Sequence, residues 1–217
     1  DGDGPITNGS PYQSQIVKIT AKSGSVITVD MKLGLRMPGN PKLRKMNNIK
    51  NVGIEDVYVV RDVAASSNWP ANVKMTNVVN GYVADMESAF AENSHVVANF
   101  SRDIVVKRIY AHEAFNYGGG GQGYGIVMNN GTTRCAVVDN KLWTLRHHIM
   151  MTRGANHCVI AFNSTEADYR QTDNDLNMHG FFPHNNLFES NYGNRVSSDR
   201  RSDPNVGARQ GRYNVYF

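Results

Sequence analysis

Two cysteines in 217 residues allow one disulfide at most, and no Cys-x-x-Cys pair is present. The chain also lacks a His-Glu-x-x-His zinc motif and a Ser, His and Asp set in a known catalytic order. Its longest glycine run, Gly118–Gly121, is not followed by Lys-Ser/Thr or a helical pattern, which excludes a phosphate loop. No apolar run approaches the roughly 18 residues that cross a bilayer. No dense run of Lys or Arg points to nucleic acid. Lys plus Arg exceed Asp plus Glu by only 23 to 19, with a pI near 9.1, a surplus that admits an acidic polymer as partner without requiring one. The chain does not start with Met and carries no signal peptide, so a processed chain or a fragment is expected.

What is present is a repeat. Val137/Asn140, Ile160/Asn163 and Phe188/Asn191 share the pattern apolar-x-x-Asn, the first two 23 residues apart and the last two 28. Cys135 and Cys158 repeat at the same 23, as do Ile126/Met128 and Ile149/Met151. A period of this size, built from short β-rich runs without helical spacing, is the signature of a stacked solenoid. Each coil is unable to bury its apolar face alone, so neighbours stack into one continuous core. The Asn has a role there: at a sharp turn inside the stack, its amide can bond the backbone of the coils above and below. The expected fold is an all-β, right-handed parallel β-helix. Its structural ladder is Asn140, Asn163 and Asn191, with Val137, Ile160 and Phe188 in its core.

Residues 1–50 read as a hairpin around Lys22-Ser23-Gly24 and a proline-marked connection, and residues 51–217 as the solenoid. Long insertions are expected at 112–124, 164–180 and 192–212, leaving the same corner of successive coils, where solenoids carry function. Stacked on adjacent coils, Cys135 and Cys158 would lie near the ~4.8 Å strand spacing, close enough for a disulfide. The stronger reading is two stacked, reduced thiols acting as small hydrophobes. The ending Gly-Arg-Tyr-Asn-Val-Tyr-Phe is an apolar strand without a polar cap, so the expectation is that the β-helix continues or that coil ends self-associate.

The segments NVGIEDVYV, NYGGGGQGYGIV, LRHHIMMTRGANHCVIAFN and MHGFFPHNNLFESN resemble secreted right-handed β-helix proteins of the pectate-lyase-like superfamily, largely bacterial. The resemblance covers about two thirds of the chain. It implies an extracellular or cell-surface location. It also implies a choice between polysaccharide lyases and non-catalytic structural or adhesive segments of fibre proteins, since the fold hosts both.

A lyase acting on uronate polymers needs a cation on the carboxylate, a base for the α-proton and an acid for the leaving oxygen. The densest supply lies in Arg146, His147, His148 and Arg153, with His179 and His184 beyond the insertion and Tyr124 as candidate acid; of His147 and His148 at most one faces solvent. With Ile149 and Met151 facing inward, strand alternation sets His148 outward beside Met150. The same residues can instead decorate the solenoid flank. Asp168, Asp173 and Asp175 share one loop and could hold calcium, or form a solvated polar loop; no other cofactor is expected. The expected partner is an acidic polysaccharide or cell-surface glycan.

Overall fold

The computed structural model describes residues 14–35, 41–62, 64, 70–118, 121–166, 175–180, 182–199, 202–203, 207–208 and 213–217. The hairpin is β1 (Ile19–Ser23) and β2 (Val26–Val29), paired antiparallel around Gly24. Coils then follow. The first holds β3 (Ile49–Glu55) and β4 (Tyr58–Val60); the next, β5 (Val73–Thr76) and the long β6 (Val78–Ala91). Then come β7 (Ser94–Asn99) with β8 (Arg102–Ala114), and β9 (Tyr124–Asn129) with β10 (Ala136–Val138) and β11 (Lys141–Trp143). They are followed by β12 (His147–Met151), β13 (Val159–Ala161) and β14 (Ser164–Glu166), and by β15 (Leu176–His179) and β16 (Leu187–Glu189). The last strands are β17 (Val196–Asp199), the short antiparallel pair β18 (Ser202–Asp203) and β19 (Gly207–Ala208), and β20 (Val215–Tyr216).

Every pairing among the solenoid strands is parallel, so the chain is an all-β solenoid, or β-helix, with three faces. One face is β5-β7-β9-β12-β15-β17. The ten-stranded sheet bends at a corner into the other two. Its first face runs β3-β6-β8-β10-β13-β16-β20, and its second is β4, the far halves of β6 and β8, β11 and β14.

Inward positions stack in straight columns. Ile54, Val83, Val106, Val137, Ile160, Phe188 and Tyr216 pair in register through the first face. Val73, Val96, Ile126, Ile149 and Leu176 do the same across the interior. From Val83 to Phe188 and from Val73 to Leu176 these side chains are buried, and they form one cluster. A parallel sheet covered on its inner side only by other coils depends on this continuity.

The corners explain the sequence. Asp85, Arg108, Asp139, Phe162 and Ser190 occupy one corner with φ between 50° and 57°. This is the left-handed region that non-glycine residues seldom enter, held here because each neighbouring coil repeats it. The next residue carries the Asn ladder. The Asn140 N–H donates to Asn163 Oδ1 at 3.1 Å, and the Asn163 N–H to Asn191 Oδ1 at 3.1 Å. In return Asn163 Nδ2 donates to Val137 O at 2.9 Å and Asn191 Nδ2 to Ile160 O at 2.8 Å. The three-Asn ladder expected from spacing is therefore present.

A second ladder runs at the opposite corner of the same face, behind Asp103, Arg134, His157, Asn185 and Tyr213, whose φ is 54–57°. There Cys158 N–H donates to Asn186 Oδ1 and Asn186 N–H to Asn214 Oδ1, both at 3.0 Å. Cys135 and Cys158 head this column as free, buried thiols, not a disulfide. Burial pushes the Cys135 thiol well up, reinforced by its contact with Cys158. An aromatic disulfide reagent should label neither cysteine in the native protein and both after unfolding. Rapid labelling before unfolding would contradict this packing.

The hairpin docks on the second corner. Asp30 forms an ion pair with buried Arg102, whose Nη1 lies 3.1 Å from Oδ1, and the Ile16 N–H donates to the Thr133 hydroxyl at 2.9 Å. The Arg102 hydrogen bond holds the Asp30 carboxyl down to about 2. At the far end β20 pairs with β16, and Tyr216 stacks on Phe188 at 4.9 Å. Tyr213, Val215, Tyr216 and Phe217 remain exposed.

Candidate functional site

The described residues set tighter bounds on the three insertions, and the last of them, which follows β17, does not leave the same corner as the first two. β8 runs on to Ala114, so the Gly-rich insertion begins at 115; β14 and β15 take both ends of the 164–180 segment, leaving 167–175; and β17 in the last insertion adds a strand to the sheet. The first of these follows β8 and precedes β9, and the second follows β14 and precedes β15. Between them lies the tight corner Thr144–Arg146, which needs φ 51° at Thr144.

Tyr124 opens β9 and pairs with His147, which opens β12. The described part of the Gly-rich loop is tied to this corner. The Gly121 N–H donates to the Tyr124 hydroxyl at 2.7 Å, Asn93 Nδ2 donates to Gly121 O at 2.6 Å, and the Arg146 N–H donates to Gly123 O at 2.7 Å. The Arg146 guanidinium lies over the Tyr124 ring, 5.9 Å from its centroid. The His147 ring sits 5.2 Å from Tyr124 and 5.7 Å from His179. Tyr124 and His147 are buried, whereas Arg146 and His179 keep partial access to solvent.

The structure thus brings together Tyr124, Arg146, His147 and His179 from the expected supply of groups. Glu92 joins this corner too. It is 4% exposed, with Oε1 accepting from Gln122 Nε2 at 3.4 Å and no hydrogen-bond partner for Oε2 among the described residues. Glu92 escapes a sequence reading because it does not repeat at the coil period, whereas His147 is within the expected supply of groups and strand alternation alone set it on the face opposite His148.

His148 does not face outward. It is 0% exposed, with Nδ1 3.3 Å from Asp175 Oδ1 and Nε2 3.2 Å from Glu166 O. Alternation fails because the coil beneath places Gly125 opposite it. A Cβ on Gly125 would stand 2.2 Å from the His148 carbonyl oxygen, so only glycine admits this close approach. Regular pairing resumes at Ile149 with Ile126.

One coil further down, His95 has the same arrangement. Its Nε2–H donates to Glu113 O at 3.0 Å, a carbonyl 18 residues along the chain, as Glu166 O is from His148. Its Nδ1 accepts from the Ser88 hydroxyl at 2.8 Å. Burial pushes the His95 imidazole down to about 3, so it is neutral at ordinary pH. The two histidines are internal braces that close the corner between the second face and the next sheet.

Arg153 is exposed at the other end of β12, where its carbonyl accepts the Gly131 N–H at 2.8 Å. Its neighbour Thr152 donates from its hydroxyl to His179 O at 2.9 Å. His184, also 0% exposed, donates from Nδ1 to Phe182 O, and burial lowers it to about 4.

Of the three carboxylates expected to bind calcium, Asp168 and Asp173 lie outside the described residues. Asp175 turns inward and is 1% exposed. Its Oδ1 faces His148 and its Oδ2 accepts from the Asn194 N–H at 2.6 Å and from the Thr165 hydroxyl at 3.3 Å. Burial works to raise the Asp175 carboxyl, but hydrogen bonds from His148 and from the Asn194 and Arg195 amides outweigh it and hold the group below its usual range. Among the described residues no group of three or more His, Cys, Asp or Glu could hold a metal ion. No described helix is long and apolar enough to cross a membrane.

The fold defines the class: a parallel β-solenoid, here with Tyr124, Arg146, His147 and His179 close together on one side. Comparison with protein-family models, curated proteins and solved structures returns no match.

Proposed function

We propose that the protein is an extracellular β-helix of the pectate-lyase-like kind that binds an acidic polysaccharide across the loop corner at Tyr124, Arg146, His147 and His179. The observation that carries this reading is Arg146 resting over the Tyr124 ring at the rim of the corner. A guanidinium held against an aromatic face is pre-oriented for a carboxylate, which it can grip with two parallel N–H donors. The partly exposed His179 can add a contact to a sugar hydroxyl. A site without dense charge suits a repeating polymer, which supplies many weak contacts at once.

Binding without cleavage is the form favoured here. The expected base, His148, is fully buried, with Nε2 3.2 Å from Glu166 O and Nδ1 3.3 Å from Asp175 Oδ1, so it cannot reach a substrate at the surface. A β-elimination site needs its base beside the substrate.

The test is calorimetric titration with polygalacturonate oligomers, alongside ultraviolet detection of unsaturated products. Wild-type protein should bind and release no product. Arg146→Ala should weaken binding about tenfold, equivalent to ~1.4 kcal/mol, with Arg146→Lys intermediate. No binding by the wild type, or equal binding by Arg146→Ala, would remove this site from consideration; product release would replace the binding reading with a lyase.

A further inference from the structure

One outward column of the first face is apolar, and the column beside it, Ala84, Lys107, Val138, Ala161 and Glu189, holds one Lys and one Glu. Tyr82, Val105, Ala136, Val159, Leu187 and Val215 stand in register on six successive coils. They alternate along each strand with the buried column from Val83 to Phe188, so they point away from the core. Tyr82, Val159 and Val215 are 36%, 37% and 45% exposed. A stripe of this kind on an outer sheet face is uncommon on a molecule that stays alone in water.

The two left-handed corners border it, and both carry charge. On one side Asp85, Arg108 and Asp139 follow one another, with Arg108 Nε 2.5 Å from Asp85 Oδ1. On the other side Asn80, Asp103 and Arg134 follow, with Arg134 Nη2 2.7 Å from Asp103 Oδ2. Arg108 and Arg134 are about half exposed. The surface therefore has an apolar centre and a charged rim, the anatomy of a protein interface.

We propose that two copies of this chain associate through this stripe, coils parallel, about a two-fold axis running along the solenoid. Such an axis sets each corner of one copy against the opposite corner of the other at the same coil. On the β8 coil, Arg108 then meets Asp103 of the second copy. On the β10 coil, Asp139 meets Arg134 of the second copy. Asp85 meets Asn80, and Phe162 meets His157. Both fully charged oppositions between described corner residues are unlike in sign, with Asp30 of the docked hairpin 3.8 Å from Arg134 at the edge of the second corner, and this pattern favours a second copy over an unrelated partner.

The strip spans about 17 Å between corners and about 24 Å along six coils, from the rise per residue and the strand spacing. With the corner side chains it buries roughly 1,000 Å² in total, near the lower limit for specific association. The dimer is therefore reversible and depends on concentration.

Sedimentation equilibrium on the full chain tests this, with scattering to report shape. The wild type should pass from monomer to dimer as concentration rises through the micromolar range, and the dimer should thicken rather than lengthen. Val159→Asp, on the solvent side of β13, should weaken dimerisation at least about tenfold while its circular dichroism and melting curve stay close to wild type. Asp139→Arg, which sets two arginines face to face, should do the same. A wild type that stays monomeric, a dimer joined end to end, or unchanged dimerisation in both variants would overturn the proposal. Should Val159→Asp alone fail to fold, Asp139→Arg decides.

Discussion

Asn163→Ala is expected to cost roughly 3–5 kcal/mol, because several buried groups lose their partners at once and each orphan costs about 1–3 kcal/mol. Asn163 is 1% exposed. Its Oδ1 takes the Asn140 N–H and the Asn140 side-chain amide, while its Nδ2 serves Val137 O and Asn191 Oδ1. Alanine strands the Asn140 amide and the Val137 carbonyl between two coils, where water cannot replace the lost amide without opening the corner. Denaturant unfolding measures the loss, a large fraction of the ~5–15 kcal/mol that holds a typical domain together. Asn191, which is only partly buried, should tolerate the same change better. A cost for Asn163→Ala below that for Asn191→Ala would contradict a ladder that works from the interior outward.

His148→Leu is expected to be comparably damaging, for a different reason. It leaves the Asp175 carboxylate 1% exposed and without its imidazole, and breaking a buried pair from one side costs about 3–5 kcal/mol. The double variant His148→Leu, Asp175→Leu should recover most of that loss, since replacing a buried pair by apolar groups is often nearly neutral. The acid dependence follows from Asp175. Its carboxyl is held below the usual range in the folded protein, so its contribution is fully present above the unfolded value of ~3.9 and fades as pH falls through the lower folded value. The wild type should lose stability over that acid window, and the double variant should lose less. If His148→Leu alone left stability unchanged while altering glycan affinity, the brace would be the wrong reading and the histidine would belong to the binding surface.

The same residues show what a sequence can disclose. Asn140, Asn163 and Asn191 were legible because a turn amide that bonds two coils must recur at the coil period, and the 23- and 28-residue spacings stand out in the sequence. The second ladder uses the same 28 between Asn186 and Asn214, but sulfur takes its upper places in Cys135 and Cys158, which masks the pattern. The corner residues are not legible. Asp85, Arg108, Asp139, Phe162 and Ser190 share a backbone conformation and no chemistry, because stacking against neighbours, not side-chain preference, holds them there.

His148 shows the limit of alternation. The period-two rule holds where a strand has pleated neighbours, and here the neighbour is Gly125, which removes the pleat's side chain and lets the backbone close in. Tyr124, Arg146 and His179 were reachable from composition alone, as the densest supply of cations and rings near the Gly-rich loop. Their convergence with His147 depended on the register between β9 and β12, which residue spacing does not state.

The most direct test of the account is a screen of immobilised uronate polymers against the wild-type protein at low and raised salt. The account predicts retention of polyuronates at low ionic strength, weakened by salt as a guanidinium–carboxylate contact requires, and no retention of neutral glucans. Equal retention of neutral and acidic chains, or none of either, would contradict it.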